Sequence, residues 1–549
     1  MKRSEQKIND TWNMEDMFLS DKVWEEDFEK ATKEVAKYKE FSGKIKDSKD
    51  KLIEFLKFND EISLLAERLY VYANQKYHED MGNGKYQAYS GKAQKLVVDI
   101  GSASAFFEPE VLEIDEATIN QWLEDEQLNN YKRYIEEILR SKKHTLDKKT
   151  EEILAKSKKM ANAADNIYAM YNGADIDFPT VKDSEGKEIK ITHGNFVPIL
   201  SGEDRELRKN AFTGLYNTYG AMKNTIAATY NANVEQANFY ADVRKYPSSR
   251  AMYLDGSNIP ESVYDNLIKV VHENMDLMYR YVRLRKKALG VEELHMYDIY
   301  APIAKAPSKK YSFEEAKAIV KEGLAPMGEE YLSKLQEGFD NRWIDVYENE
   351  GKRSGAYSWG AYGTHPYVLL NFQGTLDHVF TLAHEMGHAL HSYYSDANQT
   401  YINAGYKIFV AEVASTCNES LLIHDLLKKT KDKEKRAYLI NHFLEQFKGT
   451  LYRQTMFAEF EKITHEMVQK GETLTANVLC ETYYDLNKLY FGEDIVLDKE
   501  IALEWARIPH FYNPFYVYQY ATGISAAITL SRKIMKEGEA GVKDYMKFL

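Results

Sequence analysis

The feature that most constrains this chain is the stretch TLAHEMGHAL at residues 381–390. It predicts a helix on which His384 and His388 lie four residues apart, and therefore on one face. Two imidazoles placed in this way can bind the same metal ion. Glu385 follows the first histidine and would lie beside a water on that ion. This His-Glu-x-x-His pattern indicates a zinc hydrolase helix with Glu385 as the general base.

A catalytic zinc needs a third protein ligand and an open coordination position. The segment KIFVAEVASTCNE at residues 407–419 lacks Gly and Pro, which favours a second helix. Glu412 lies on this segment, 24 positions after His388, and a two-helix hairpin would return its carboxylate to the metal. We expect His384, His388 and Glu412 as the ligands, with water as the fourth. The alternative is a buried helix pair without a metal, whose polar side chains would need other partners.

Three neighbours compete for roles at this site. His391 follows His388 by three residues and is an alternative third ligand, but helical rise places it about 10 Å along the axis from His384. We therefore expect it beside the site. Asp377 and Glu419 each lie seven residues from a ligand and could orient a ligand imidazole. A solvated or ion-paired carboxylate is the alternative for each of them.

Other residues resemble site residues but are interpreted differently. His272 and His465 also precede a glutamate, yet neither has a second histidine four residues on, so both predict helix-surface pairs. Cys417 is interpreted as a buried structural thiol rather than a ligand. A purely structural zinc site would normally be closed by a fourth Cys or His ligand, and the chain offers no suitable pair of cysteines.

Length, charge and cysteine usage bound the remaining possibilities. The chain has 549 residues and a net charge of −13, so two lobes or one very large helical body are expected, and a nucleic-acid partner is not. The two cysteines, Cys417 and Cys480, cannot form a disulfide framework, which fits a reducing cytoplasm. No run approaches 18 apolar residues, and the first ten residues are not those of a signal peptide. We expect a cytoplasmic protein without a membrane partner.

The order of patterns along the chain indicates two domains. Residues 11–170 predict successive amphipathic helices, including separate helices at 51–56 and 62–76. Residues 177–192, with a turn at Gly186, predict a β-hairpin. We place a boundary near residue 195. The predicted domains are an N-terminal helical lobe over 1–195 that ends in the hairpin, and a catalytic domain over 196–549.

A small sheet is predicted just before the metal helix. Residues 343–347 and 366–372 resemble strands, and the Gly-rich loop between them lacks the spacing of a phosphate-binding loop. A strand edge beside the metal could pair with the backbone of an extended peptide. A purely structural sheet is the alternative.

An aromatic segment follows near the C-terminus. The sequence HFYNPFYVYQY at residues 510–520 holds four tyrosines and a histidine. Tyrosine hydroxyls and a histidine can donate hydrogen bonds to the oxyanion that forms when water attacks a carbonyl. Aromatic packing explains most of these rings, and we expect one or two to face the metal.

With these motifs together, the chain resembles the oligoendopeptidase F family, relatives of thimet oligopeptidase. The resemblance rests on PYVLLNF, FTLAHEMGH, FVAEVAS, RQTMFAEFE and PHFYNPFYVY, and it covers most of the chain, most specifically residues 350–525. It implies a mostly helical, two-lobed, zincin-like metallopeptidase with a deep channel between the lobes. The family cuts short peptides internally and leaves folded proteins intact.

The resemblance also assigns roles to residues. It implies one Zn²⁺ per chain on His384, His388 and Glu412, with Glu385 as the base. Its transition-state histidine and tyrosines match the segment from residue 510 to 520. We favour His510 with Tyr518, and then Tyr512, as the groups that hold the oxyanion.

Several alternatives stay open at this point. A peptidyl-dipeptidase with the same ligand spacing would release C-terminal dipeptides. A non-catalytic helical protein could bind peptides and carry a structural zinc. Cobalt or manganese could replace zinc, because ligand type alone does not decide the metal. The sequence leaves the oligomeric state open, and the expected partners are short peptides in extended conformation.

Overall fold

The computed structural model describes residues 1–549, with the exception of the Lys148 side chain. The chain is mostly helical, as predicted. Its α-helices are α1 Asp21–Glu34, α2 Lys49–Glu79, α3 Gly84–Ser104, α4 Phe107–Glu113, α5 Glu116–Trp122, α6 Lys132–Ser141, α7 Lys148–Ala161, α8 Ala163–Met170, α9 His193–Leu200, α10 Arg205–Ala221, α11 Lys223–Val243, α12 Ser249–Asp255, α13 Glu261–Glu273, α14 Met275–Leu289, α15 Phe313–Gly323, α16 Gly328–Asp340, α17 Leu376–Asn398, α18 Tyr401–Ala404, α19 Ile408–Lys429, α20 Lys433–Gln446, α21 Arg453–Gln469, α22 Ala476–Phe491, α23 Tyr518–Glu537 and α24 Glu539–Phe548.

Two π-helical segments interrupt the α-helical pattern, and two 3₁₀ helices lead into the aromatic segment near the C-terminus. The π-helical segments are Tyr171–Asp175 and Phe447–Tyr452. The 3₁₀ helices Lys499–Arg507 and Pro509–Tyr512 precede α23. The predicted aromatic segment therefore begins in a short 3₁₀ helix and ends in the first turn of α23.

The chain forms two compact units, each built from discontinuous segments. The first unit contains Met1–Lys143, Ser308–Lys429 and Ala526–Leu549, and the second contains His144–Pro307 and Thr430–Ser525. The sequence predicts two contiguous domains that meet at residue 195. That position lies inside the second unit. The units differ from the predicted domains because residues 308–429 pack with the N-terminal helices of the first unit: Tyr367 and Leu369 join their hydrophobic core.

One predicted helix boundary is wrong. The sequence predicts separate helices at 51–56 and 62–76, but the single helix α2 covers both stretches. Phe55, Ile62 and Leu69 are buried at intervals of seven residues, so one apolar face continues through the polar residues between the two stretches. Burial of that face, rather than the local run of charges, decides the length of the helix.

Five short strands form two sheets. In the second unit, β1 Thr180–Lys182 pairs antiparallel with β2 Glu188–Lys190, which is the predicted hairpin with shorter strands. In the first unit, β3 Ile344–Asp345, β4 Tyr357–Trp359 and β5 Tyr367–Leu369 lie in the order β3-β5-β4. Strand β5 runs parallel to β3 and antiparallel to β4. The predicted strand at 366–372 is thus the central one, and β4 lies at an edge of the sheet.

A helix that spans a membrane needs about 20 predominantly apolar residues. Within the described chain, no helix is both long enough and apolar enough to span a bilayer.

Helices α17 and α19 pack at very close range. A Cβ atom at Gly387 would lie 2.6 Å from the Ser415 Cα and 2.8 Å from the Ala414 carbonyl oxygen, so only glycine allows this approach. Asn418 of α19 donates a hydrogen bond to the backbone oxygen of Ala383 on α17, at 3.0 Å. Gly387 therefore sets the distance between the two helices, and the buried amide of Asn418 sets their register.

We expect Gly387→Ala to force the two helices apart, because backbone atoms cannot yield as a flexible side chain can. Overpacking of this kind costs about 1–3 kcal/mol of unfolding free energy. Urea denaturation monitored by circular dichroism measures the loss. As a matched control, Gly91→Ala on α3 meets no atom within 4 Å and should stabilise the protein by about 0.5–1 kcal/mol. Equal stability of the two variants would contradict the close packing.

Candidate metal centre and active site

The helix α17 carries the two histidines on one face. It begins after Thr375, whose hydroxyl oxygen accepts a hydrogen bond from the backbone N–H of His378. The imidazole rings of His384 and His388 have centroids 4.8 Å apart and are nearly perpendicular. Most of the helix is buried, including the Glu385 side chain, which is 6% exposed. A buried helix of this kind holds its side chains in fixed positions.

The third candidate ligand comes from α19. Oε2 of Glu412 lies 3.4 Å from Nε2 of His384 and 3.5 Å from Nε2 of His388. All three ligand atoms lie within 4.8 Å of one another. Zinc bonds of about 2.0–2.2 Å in a tetrahedron separate neighbouring ligand atoms by about 3.3–3.6 Å. The donor set and its spacing therefore fit a divalent metal such as zinc.

Glu419 holds the ring of His384 in place. The Nδ1 atom of His384 donates a hydrogen bond to Oε1 of Glu419 at 2.5 Å, which leaves Nε2 as the nitrogen that faces Glu412. Ser415 donates a hydrogen bond to Oε2 of Glu412 at 3.0 Å. A carboxylate behind a ligand histidine fixes its tautomer and makes the imidazole a better donor to a metal.

The electrostatics of the cluster favour positive charge between the ligands. Burial alone would lower the pKa of His384, but the hydrogen bond to Glu419 and the nearby carboxylates outweigh it and raise the pKa to about 9. Burial opposes charge on Glu412 as well, yet the bond to His388 and the attraction of both histidines lower its pKa to about 2. Burial raises the pKa of Glu385. Three carboxyl groups around two imidazoles thus form a site that attracts a cation.

His391, the alternative third ligand, lies elsewhere. It is 2% exposed and stacks on Tyr406 with ring centroids 3.8 Å apart. Burial lowers the pKa of its imidazole to about 4, so the ring is neutral at physiological pH. Among the described residues, the group whose atoms can share one metal ion is His384, His388 and Glu412.

The three predicted oxyanion donors belong to the second unit. His510 is exposed in the 3₁₀ helix Pro509–Tyr512. Tyr512 stacks on Tyr168 with centroids 4.2 Å apart, and its hydroxyl forms a 2.7 Å hydrogen bond with Thr229. Tyr518 is buried and tilts against the ring of Tyr264 at 5.0 Å. Tyr512 is therefore engaged inside the second unit, whereas His510 is accessible.

Two tyrosines that are not among the three predicted oxyanion donors lie near His510. The rings of Tyr516 and Tyr520 lie 6.1 and 6.2 Å from His510 and 5.6 Å from each other, and both are partly exposed. The two tyrosines are four residues apart, close to the start of α23, and this spacing is the sequence signal that predicts their proximity. They are additional candidate donors next to His510.

The sequence also predicts that His465 is half of a helix-surface pair. That interpretation is wrong, because His465 is 2% exposed. Its Nδ1 atom forms a 2.9 Å hydrogen bond with the hydroxyl of Ser249, and its ring packs 4.6 Å from Phe515. His272 does lie near the surface and bonds to Glu459.

The fold and the candidate ligand set define a class: mostly helical proteins in which an HExxH helix and a following glutamate could hold one metal ion. Sequence profiles agree with this class. The profile of peptidase family M3 matches residues 199–549, and the profile described as oligopeptidase F matches residues 110–178. The chain belongs to peptidase family M3.

Similarity to individual proteins extends over nearly the whole chain. Oligopeptidase PepF of Bacillus subtilis (strain 168) is 49% identical over 548 residues, which cover 100% of this chain and 82% of that relative. Group B oligopeptidase PepB of Streptococcus agalactiae serotype III (strain NEM316) is 40% identical over 539 residues, which cover 98% and 90%. The resemblance to the oligoendopeptidase F family is confirmed.

Solved structures agree. A protein from Chlamydophila abortus superposes with a TM-score of 0.94 at 35% identity, covering 100% of this chain and 92% of that chain. The oligoendopeptidase-F from Enterococcus faecium superposes with a TM-score of 0.74 at 36% identity, covering 96% and 91%. The predicted mostly helical peptidase fold is confirmed.

We expect Glu419→Gln to weaken metal binding by about 10–100-fold, because the amide holds the His384 ring less firmly and makes it a poorer donor. Competition with a chromophoric zinc chelator measures the affinity. Asp425→Asn on the same helix removes a carboxylate that pairs with Lys429 and serves as the control. If both variants bind zinc as tightly as the wild type, Glu419 does not support the ligand.

Proposed function

We propose that this chain is a zinc-dependent endopeptidase that hydrolyses internal bonds of short oligopeptides. The observation that carries the proposal is the 3.4 and 3.5 Å separation of Glu412 from the two histidines, with Glu385 next to His384 on the same helix. Membership of peptidase family M3 supports the peptide bond as the target.

Glu385 is the general base in this proposal. Zinc, when bound, supplies a Lewis acid that polarises the scissile carbonyl and makes the attacking water more acidic. Glu385 takes the proton of that water and delivers it to the nitrogen of the leaving amine. His510 and Tyr518 donate hydrogen bonds to the oxygen that becomes negative during attack. Each proton removed from water is returned to product, so the enzyme ends in its starting state.

The substrates we propose are short peptides in extended conformation. Strand β4 lies at the edge of its sheet, where an extended backbone can add as a further strand. Beside it, a cavity of about 400 Å³ is lined by residues that include Gly355, Asn371, His378 and Thr381. His378 and Thr381 belong to the first turns of α17. A substrate side chain in this cavity would therefore contact the helix that carries His384 and His388.

We also propose a cytoplasmic location. Both cysteines are free, Cys417 buried and Cys480 half-buried, and a reducing compartment keeps such thiols unpaired.

We expect Glu385→Gln to abolish cleavage while zinc remains bound, because the amide cannot accept a proton but the three ligands are unchanged. The substrate is a peptide of about ten residues blocked at both ends, and mass spectrometry maps the cuts. A chelated wild-type sample should be equally inactive. Glu273→Gln is the matched control, since Glu273 also follows a histidine on a helix and pairs with Lys269 at the surface.

The same experiment separates the rival activities. Internal cuts in the blocked peptide support the endopeptidase. Cuts found only in unblocked peptides, two residues from the C-terminus, would identify a peptidyl-dipeptidase. A zinc-loaded protein that cuts neither peptide would be a binding protein, and the proposal would be wrong.

We expect Tyr518→Phe and Tyr512→Phe to differ, although each removes one hydroxyl. Loss of an oxyanion donor lowers turnover by about 10²–10³-fold, so Tyr518→Phe should reduce kcat on that scale. Tyr512→Phe removes a hydrogen bond to Thr229 and should lower stability by about 1 kcal/mol with little change in kcat. Steady-state kinetics with a fluorogenic blocked peptide measure both. Unchanged kcat for Tyr518→Phe would remove this residue from the mechanism.

A further inference from the structure

One carboxyl group in the second unit is buried without a cation. Glu461 on α21 is 0% exposed. Its Oε1 atom accepts a hydrogen bond from the backbone N–H of Phe515 at 2.9 Å. Within the described part of the chain, no donor reaches its other oxygen, Oε2. Burying a carboxyl group with a single hydrogen bond is unfavourable, so packing alone does not account for a glutamate at this position.

The backbone that Glu461 holds is itself strained. Phe515 has a φ angle of +57°, in the left-handed region that residues other than glycine rarely adopt. Its side chain is 3% exposed and packs against Tyr264 and His465. Strain of this kind persists only where surrounding contacts enforce it, and it concentrates at functional sites. The hydrogen bond from Phe515 to Glu461 is one of those contacts.

Phe515 lies between the two helical parts of the aromatic segment. On one side lies the 3₁₀ helix Pro509–Tyr512 with His510, and on the other α23 begins at Tyr518. A change in the backbone at Phe515 would redirect the chain between these two elements. The orientation of His510 relative to Tyr518 therefore depends on the conformation of this one residue.

We propose that Glu461 is a positioning residue, whose buried carboxyl oxygen fixes the turn at Phe515 and so aligns His510 with the tyrosines that follow. The inference rests on the proposed peptidase function and extends it, because it adds a residue that acts through the backbone rather than on the substrate. Only an acceptor oxygen at the right distance is required of Glu461. A negative charge or a transferable proton is not.

Two substitutions separate distance from chemistry. Glu461→Asp keeps the carboxyl group but withdraws it by one methylene, about 1.5 Å, so the bond to Phe515 is lost. Glu461→Gln keeps the length and offers an amide oxygen to the same N–H. Glu459→Asp is the matched control: Glu459 lies on the same helix, two residues earlier, and binds Tyr490 and His272.

The readouts are kcat and KM for a fluorogenic peptide blocked at both ends, with zinc content measured for each variant. Misplacement of catalytic groups by about 1 Å lowers turnover by up to about 10²-fold. We expect Glu461→Asp to reduce kcat at least tenfold at nearly unchanged KM and zinc content, and Glu461→Gln to stay within about threefold of wild type. Glu459→Asp should keep wild-type kcat.

Other results would overturn the inference. If Glu461→Gln loses activity and Glu461→Asp keeps it, the carboxyl group acts chemically and not by position. If Glu461→Asp and Glu459→Asp have the same kcat, the turn does not govern turnover. If the wild type itself cleaves no peptide, the proposed function fails, and the positioning role fails with it. An active wild type with unaffected variants refutes the positioning role alone.

Thermal stability gives an independent check with the milder Glu461→Gln variant. Burial raises the pKa of Glu461 to about 8, although the Phe515 N–H opposes this. The folded protein then holds a proton that the unfolded chain releases above its ordinary pKa, so wild-type stability falls as pH rises towards 8. Burial lowers the pKa of His465 to about 3, which keeps it neutral in this window. The nearby hydroxyl groups of Tyr230, Tyr253 and Tyr264 all have raised pKa values and stay protonated.

Between pH 5 and pH 8 the melting temperature of the wild type should therefore fall relative to that of Glu461→Gln. Parallel melting curves across this range would mean that Glu461 is not a buried, protonated acceptor. That result would contradict the environment on which the positioning role depends.

Discussion

The structure of the site depends on how closely two helices approach. Gly387 lies against the backbone of Ala414 and Ser415, at distances that no side chain would allow. At this separation, Glu412 reaches the two histidines of α17 across the gap, and Glu419 reaches the far side of the His384 ring. An additional methyl group at the contact would move both carboxylates away from the imidazoles. The geometry of the candidate metal site and the packing of the two helices are therefore set by the same close contact.

In the second unit, buried side-chain contacts rather than helix packing hold the aromatic segment in place. The segment has little regular structure between Pro509–Tyr512 and α23, and buried polar contacts hold it in place. Glu461 binds the N–H of Phe515, and Asn233 donates a hydrogen bond to the Phe511 carbonyl oxygen. Irregular backbone needs such partners, because its N–H and C=O groups have no helix or sheet neighbours. The segment is thus defined by side chains that lie far from it in sequence.

Much of this organisation could be predicted from sequence, and the limits have physical reasons. Helical periodicity is enough to predict that His384 and His388 share one face. A hairpin of two neighbouring helices is enough to predict that Glu412 approaches them. Both predictions succeed because they depend only on local geometry. The fusion of two predicted helices into α2 depends on burial against the rest of the first unit. The order of the strands puts β5 in the centre, which strand patterns alone do not specify. The buried positions of His465 and Glu461 depend on packing among segments that are distant in sequence, which a single-sequence pattern does not encode.

The most direct test of the proposed metal site is zinc K-edge X-ray absorption spectroscopy of the zinc-loaded protein. We expect two imidazole nitrogens at about 2.0–2.1 Å and oxygen ligands at about 2.0–2.2 Å, with the imidazole signal reduced in a His388→Ala variant. A sulfur ligand at about 2.3 Å, or a shell without imidazole, would place the metal elsewhere. Either result would contradict the claim that the gap between α17 and α19 is the metal site.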